Sequence, residues 1–107
     1  MLIAIDVGNT QTVIGLYDET ELLYHWRIAT NAERTSDEHA VLVSEFVQLR
    51  GVDLTGQSVG VAISSGVPRV TAALREMTES WFHVTPVILE PGTRTGMPIL
   101  YDNPKEV

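Results

Sequence analysis

No cysteine occurs anywhere in the 107 residues, which excludes disulfides, thiol nucleophiles and cysteine-ligated metal sites. Basic residues are scarce: 7 Lys and Arg stand against 14 Asp and Glu, a formal charge of −7. A nucleic-acid partner would need a basic face, so none is expected. An acidic chain can still hold anionic small ligands, where backbone N–H groups and a divalent cation supply the positive potential. Long apolar runs are missing too. None approaches the ~20 residues that span a bilayer, and the start MLIAIDVGNT lacks the basic leader of a secretory signal. A cytoplasmic protein with no membrane partner is the expectation. His25, His39 and His83 are too scattered for a metal site and are expected to be structural or solvent-facing.

What is present reads as one small domain, with the 44% apolar and 20% charged content of an ordinary globular protein. Residues 2–7, 11–18 and 21–29 are expected as three strands joined by short turns. Leu22, Tyr24, Trp26 and Ile28 alternate with Leu23, His25 and Arg27, which suits a sheet with one better-covered face. Gly15 inside the second strand suggests a bulge or a close backbone approach. Thr35-Ser36-Asp37-Glu38 fits a capping box opening a helix to Arg50, with Ala40, Val43, Phe46 and Val47 inward and Gly51 as its cap. Val59 to Ser64 is a buried strand expected to run parallel to the first. Pro68 suits the start of a second helix whose apolar stripe is Val70, Leu74, Met77 and Trp81. A last strand covers Pro86 to Leu89, and Glu90 to Val107 shows no periodicity. The order βββαβαβ predicts an α/β fold, a mixed five-stranded sheet with helices packed on it. Residues 1–90 would form the domain and 91–107 an irregular tail.

The stretch Asp6 to Thr10 asks for more than a turn. Gly8-Asn9 is good hairpin chemistry, which accounts for the turn but not for an acid ending the most apolar strand. Such a carboxylate must be hydrated, paired or metal-bound. The alternative is a phosphate site. Asp6 would face a hydrated magnesium ion, and Gly8 would let the backbone approach phosphate oxygens while Asn9 and Thr10 donate hydrogen bonds. Spacing leaves the two readings level. Ser64 and Ser65 end a buried strand, where active-site residues of α/β sheets collect, but no Gly-x-Ser-x-Gly elbow marks a nucleophile. Asp37 and Glu38 need no role beyond capping. Arg94 and Lys105 are isolated loop cations, expected to be solvated.

With Asp-x-Gly-Asn-Thr at its first hairpin, this order resembles the acetate kinase, sugar kinase, Hsp70 and actin superfamily, whose members pair two ribonuclease-H-like domains around ATP. A narrower resemblance rests on DVGNTQTVIGL (Asp6 to Leu16), RTSDEHA (Arg34 to Ala40), SSGVP (Ser64 to Pro68) and PGTRTGMPILYDNPKEV (Pro91 to Val107). Together these look like type III pantothenate kinase, the enzyme that phosphorylates pantothenate with ATP in the first step of coenzyme A synthesis. The resemblance implies that Asp6 serves magnesium and that Asp6, Val7, Gly8, Asn9, Thr10, Gln11, Thr12 and Val13 form the ATP loop. It implies pantothenate contacts at Tyr101 and Gly96, although Tyr101 could equally pack beside Pro98 and Ile99 and Gly96 could be a plain loop glycine. A monovalent cation, K⁺ or NH₄⁺, and a homodimer are implied as well. In that family the tyrosine segment continues into Gly-Ala-Asp-Arg, which carries the general base. The chain is accordingly expected to be an N-terminal piece, inactive alone, with no catalytic base among its residues. A non-catalytic nucleotide-binding regulator or chaperone-like domain on the same fold is the alternative.

Overall fold

The computed structural model describes residues 1–89. Leu2–Val7 forms strand β1, an unbroken apolar run up to Asp6, and takes the centre of a five-stranded sheet. β2 (Gln11–Asp18) and β3 (Glu21–Ala29) fold back against it as an antiparallel meander. On its other side β4 (Gly60–Ser65) and β5 (Val87–Leu89) run parallel to it, giving the order β3-β2-β1-β4-β5. Helices α1 (Ser36–Leu49) and α2 (Pro68–Trp81) make the two crossovers. This is the mixed ribonuclease-H-like sheet that the element order predicts. The tail expected over 91–107, and with it Tyr101 and Gly96, lies outside the described residues.

Local chemistry sets the helix ends. The Thr35 hydroxyl accepts from the Glu38 N–H at 3.2 Å, while the Glu38 carboxylate accepts from the Thr35 N–H at 2.9 Å, completing the capping box. The Thr35 N–H, and then the Thr35 hydroxyl donating to the same carboxylate at 3.1 Å, hold the Glu38 carboxyl below its usual pKa. At the other end Arg50 is the C-cap, and Gly51 follows in the left-handed region at φ +72°. The Gly51 N–H reaches the Gln48 carbonyl and the Val52 N–H the Val47 carbonyl, which is the Schellman pairing.

Both helices cover one face of the sheet. There Ile3, Ile5 and Val7 of β1 meet Ile14 and Leu16 of β2, Val61 and Ile63 of β4, Ala40 and Val43 of α1, and Val70, Leu74 and Met77 of α2. Trp26 of β3 stacks on Phe46 of α1 with ring centroids 5.3 Å apart. The opposite face carries a smaller cluster, Ala4, Val13 and Tyr17, with Leu2 and Leu22 packed against it.

Three details depart from the sequence reading. The β2–β3 register shifts between Leu16 and Tyr17, so Leu16 pairs with Tyr24 but Tyr17 with Leu22. Gly15 itself stays in register with Ala4 and His25; the irregularity lies beside it. The slip leaves Leu23 unpaired and reverses the alternation, moving Leu22 to the face opposite Tyr24 and Trp26. Trp81, the last stripe residue of α2, is 54% exposed, and the helix instead buries Thr78, whose hydroxyl donates to the Leu74 carbonyl at 2.8 Å.

His39 also differs from its two fellows. His25 and His83 are exposed, whereas His39 is 2% exposed and its Nε2 has no hydrogen-bond partner among the described residues. Burial, and then the Arg34 charge, push its pKa below the usual histidine value, with Glu38 opposing. The unfolded chain therefore binds a proton at a higher pH than the fold does, and stability falls as pH drops below the ordinary value of 6.5. A melting temperature lower at pH 5.5 than at pH 7.5 is expected, with the difference shrinking in His39→Leu. A wild-type transition that stays level across that range would contradict this account.

Candidate functional site

The parallel pair β1 and β4 end at the same edge of the sheet, and the sequence-predicted residues gather there. Ile5 and Val7 point into the helix-covered core, so Asp6 between them points to the opposite face. Its register partners are Val13 on β2 and Ser64 on β4. Asp6 is half-buried, its carboxylate makes no hydrogen bond among the described residues, and burial raises its pKa. A carboxylate that is partly desolvated, unpaired and flanked by a serine has its lone pairs free for a cation or for water. Among the described residues no group of three or more His, Asp or Glu side chains could hold a metal ion. A magnesium ion at this edge would rest on one carboxylate, waters and phosphate oxygens, a ligand set that suits it.

The turn after β1 is tightly held. The Gly8 N–H donates to the Gln11 carbonyl at 2.9 Å, closing the loop over Asn9 and Thr10, which are exposed. A Cβ on Gly8 would stand 3.0 Å from that same backbone oxygen, so only glycine fits without moving the turn. Thr30, just past β3, grips the turn twice. Its N–H donates to the Thr10 carbonyl at 3.0 Å and its hydroxyl to the Gly8 carbonyl at 2.8 Å. With that proton committed, the Thr12 hydroxyl, 2.8 Å from the Thr30 hydroxyl, is the donor between the two.

This arrangement sorts the predicted ATP loop. Asn9, Thr10 and Gln11 offer accessible groups. Val7 and Thr12 are buried, at 4% and 2% exposure, and the Thr12 hydroxyl is spent internally, so only their backbones can meet a ligand. Val13 is buried beside Ala4 and Tyr17. Ser65 accepts from the Val67 N–H at 3.1 Å and shapes the bend into α2, whose first turn carries neither an acid nor a side-chain cap. The positive end of that helix dipole therefore lies at the edge where β4 ends with no acid of the helix's own first turn against it. Sequence reasoning missed Thr30 altogether. A threonine closing a strand carries no local signal, and its partner Gly8 lies 22 residues away.

A family model for type III pantothenate kinase matches residues 2–107. The type III pantothenate kinase of Myxococcus xanthus is 50% identical over 107 residues, spanning 100% of this chain and 41% of the relative. That of Halalkalibacterium halodurans is 46% identical, spanning 100% and 42%, and that of Streptomyces griseus is 50% identical over 111 residues with the same shares. The chain thus spans about two fifths of the length of these curated relatives. Among solved structures the Aquifex aeolicus PPX-GPPA enzyme aligns with a TM-score of 0.46 and 10% identity, covering 83% of this chain and 35% of that one. So loose a likeness carries no argument. The sequence match does, because it runs from the first residue of β1 through the whole described sheet: the chain belongs to the type III pantothenate kinase family.

Proposed function

We propose that the chain is the ATP-phosphate-binding part of a kinase that transfers the γ-phosphoryl of ATP to pantothenate. The observation that carries this reading is the half-buried Asp6, its carboxylate unpaired among the described residues, at the end of the central strand beside a turn that only glycine fits. Asp6 would hold hydrated magnesium, which neutralises phosphate charge when bound. The turn's backbone, with Asn9 and Thr10, would cradle the phosphate oxygens, and the open end of α2 adds positive potential at the same edge. Phosphoryl transfer depends chiefly on such positioning and charge neutralisation. Tyr101 and Gly96 would contact pantothenate. The general base and the ligands of a K⁺ or NH₄⁺ ion would come from the remaining three fifths or so of the family's length. A cytoplasmic homodimer completes the proposal; no helix among the described residues is long and apolar enough to cross a membrane.

The test is ADP release coupled to pantothenate, with magnesium and a potassium or ammonium salt. The full-length enzyme should show pantothenate-dependent turnover, and the 107 residues alone should show none. A full-length protein that releases no ADP in response to pantothenate would overturn the proposal. Turnover by the 107 residues alone would overturn the division of labour.

A further inference from the structure

We infer that Thr30 is a positioning residue for phosphoryl transfer, holding the Gly8–Gln11 turn in its phosphate-binding shape through its side-chain hydroxyl. The inference rests on the function proposed above and extends it to a residue outside the Asp6–Val13 loop.

The turn's own bond, from the Gly8 N–H to the Gln11 carbonyl, fixes its width but not its tilt relative to the sheet. Tilt is set from β3. The Thr30 N–H continues the β2–β3 ladder one step past the Gln11–Ala29 pair, to the Thr10 carbonyl at 3.0 Å. Its hydroxyl then crosses to the Gly8 carbonyl at 2.8 Å and receives the Thr12 hydroxyl at 2.8 Å. The two ends of the turn are thereby tied to one residue, and the Gly8 carbonyl is turned toward Thr30. Because a peptide group is planar, fixing that carbonyl also fixes the opposite direction of the Asn9 N–H. An N–H aimed away from the protein at an exposed turn is a donor that a phosphate oxygen can use. Thr30 is itself anchored: Arg34 donates to the neighbouring Ala29 carbonyl at 2.8 Å, and Glu33 in the same loop forms a two-point ion pair with Arg69 on α2.

The test compares Thr30→Val, which keeps the shape and loses the hydroxyl, with Thr30→Ser, which keeps the hydroxyl, in the full-length enzyme. Misplacing a positioning group by a fraction of an ångström gives a loss short of the hundredfold seen for a full one. Thr30→Val should lower kcat/KM for ATP about tenfold, leave KM for pantothenate unchanged and speed amide exchange at Gly8 and Thr30, whose N–H groups bond to Gln11 and Thr10. Thr30→Ser should stay within about twofold of wild type. If Thr30→Val does not fold, Thr30→Ala is read the same way. Unchanged exchange and kcat/KM in a folded variant overturn the inference, as does a loss that Thr30→Ser fails to rescue. A rise in KM for pantothenate that matches the one for ATP overturns it too, since it marks a general disturbance of the site. Asp6→Asn, run alongside, separates the two levels. If it abolishes turnover while Thr30→Val is silent, only the role of Thr30 falls; if Asp6→Asn is also silent, the phosphate-site reading falls with it.

Discussion

Replacing Asp6 by Asn in the full-length enzyme is expected to cut turnover by about 10²–10³-fold, the usual effect of losing one electrostatic contribution from a preorganised site. The substitution preserves the volume and most hydrogen-bonding capacity and removes only the charge. Excess magnesium should restore little, because the charge that attracts it is gone. Stability should move the other way. Burial raises the Asp6 pKa, so above the folded-state value the ionised carboxylate is a liability to the fold, relieved as pH falls through that value. Asn carries no such liability. The melting temperature of Asp6→Asn at pH 7 should equal or exceed that of wild type, with any advantage shrinking toward acid pH. A folded Asp6→Asn enzyme within about twofold of wild-type turnover, far less than the 1.4 kcal/mol of a tenfold effect, would reduce the Asp6–Thr10 stretch to a plain hairpin.

Leu74→Ala should be the most damaging of single truncations in α2. Leu74 is 1% exposed and sits among Val70 and Met77 against the β4 side of the sheet. Removing a buried leucine side chain costs about 2–5 kcal/mol through lost transfer energy and the cavity left behind. A small domain has only about 5–15 kcal/mol in total. Urea unfolding should show a midpoint lowered by that loss divided by the slope, with the slope unchanged. Trp81→Ala offers the contrast. Its side chain is the larger, yet at 54% exposure it should cost at most about 1 kcal/mol. Equal losses from the two substitutions would mean that Trp81 belongs to the apolar stripe, as its spacing suggests.

The features legible in the sequence are those whose physics is local. The capping box at Thr35, the left-handed Gly51 and the proline opening α2 each involve residues a few positions apart, and the structure has all three. The strands were legible through their apolar runs. What escaped depends on partners distant along the chain. The face taken by Leu22 turns on a register slip between two strands. Trp81 keeps the spacing of the stripe but is the last residue of α2 and stands exposed, while Phe82 and Val84 beyond it pack on the core. At the site, Asp6 and the turn stood out by composition, whereas Ser64 joins them only through the pairing of β1 with β4. Thr30 joins through a contact across two strands.

The place of β1 has a consequence for how the chain comes off the ribosome. Its antiparallel partner β2, and β3 beyond it, follow within the next 22 residues, so the meander can close early, from nearby contacts. The other edge of β1 waits for β4, where Leu2 finally meets Gly60. Until then Leu2–Val7 presents an open row of backbone donors and acceptors on an almost wholly apolar strand, a ready template for pairing with another nascent chain. The proposed phosphate site and the site of misassembly thus share one strand, and slowing synthesis between residues 29 and 60 should favour aggregation over folding more than a pause anywhere after β4.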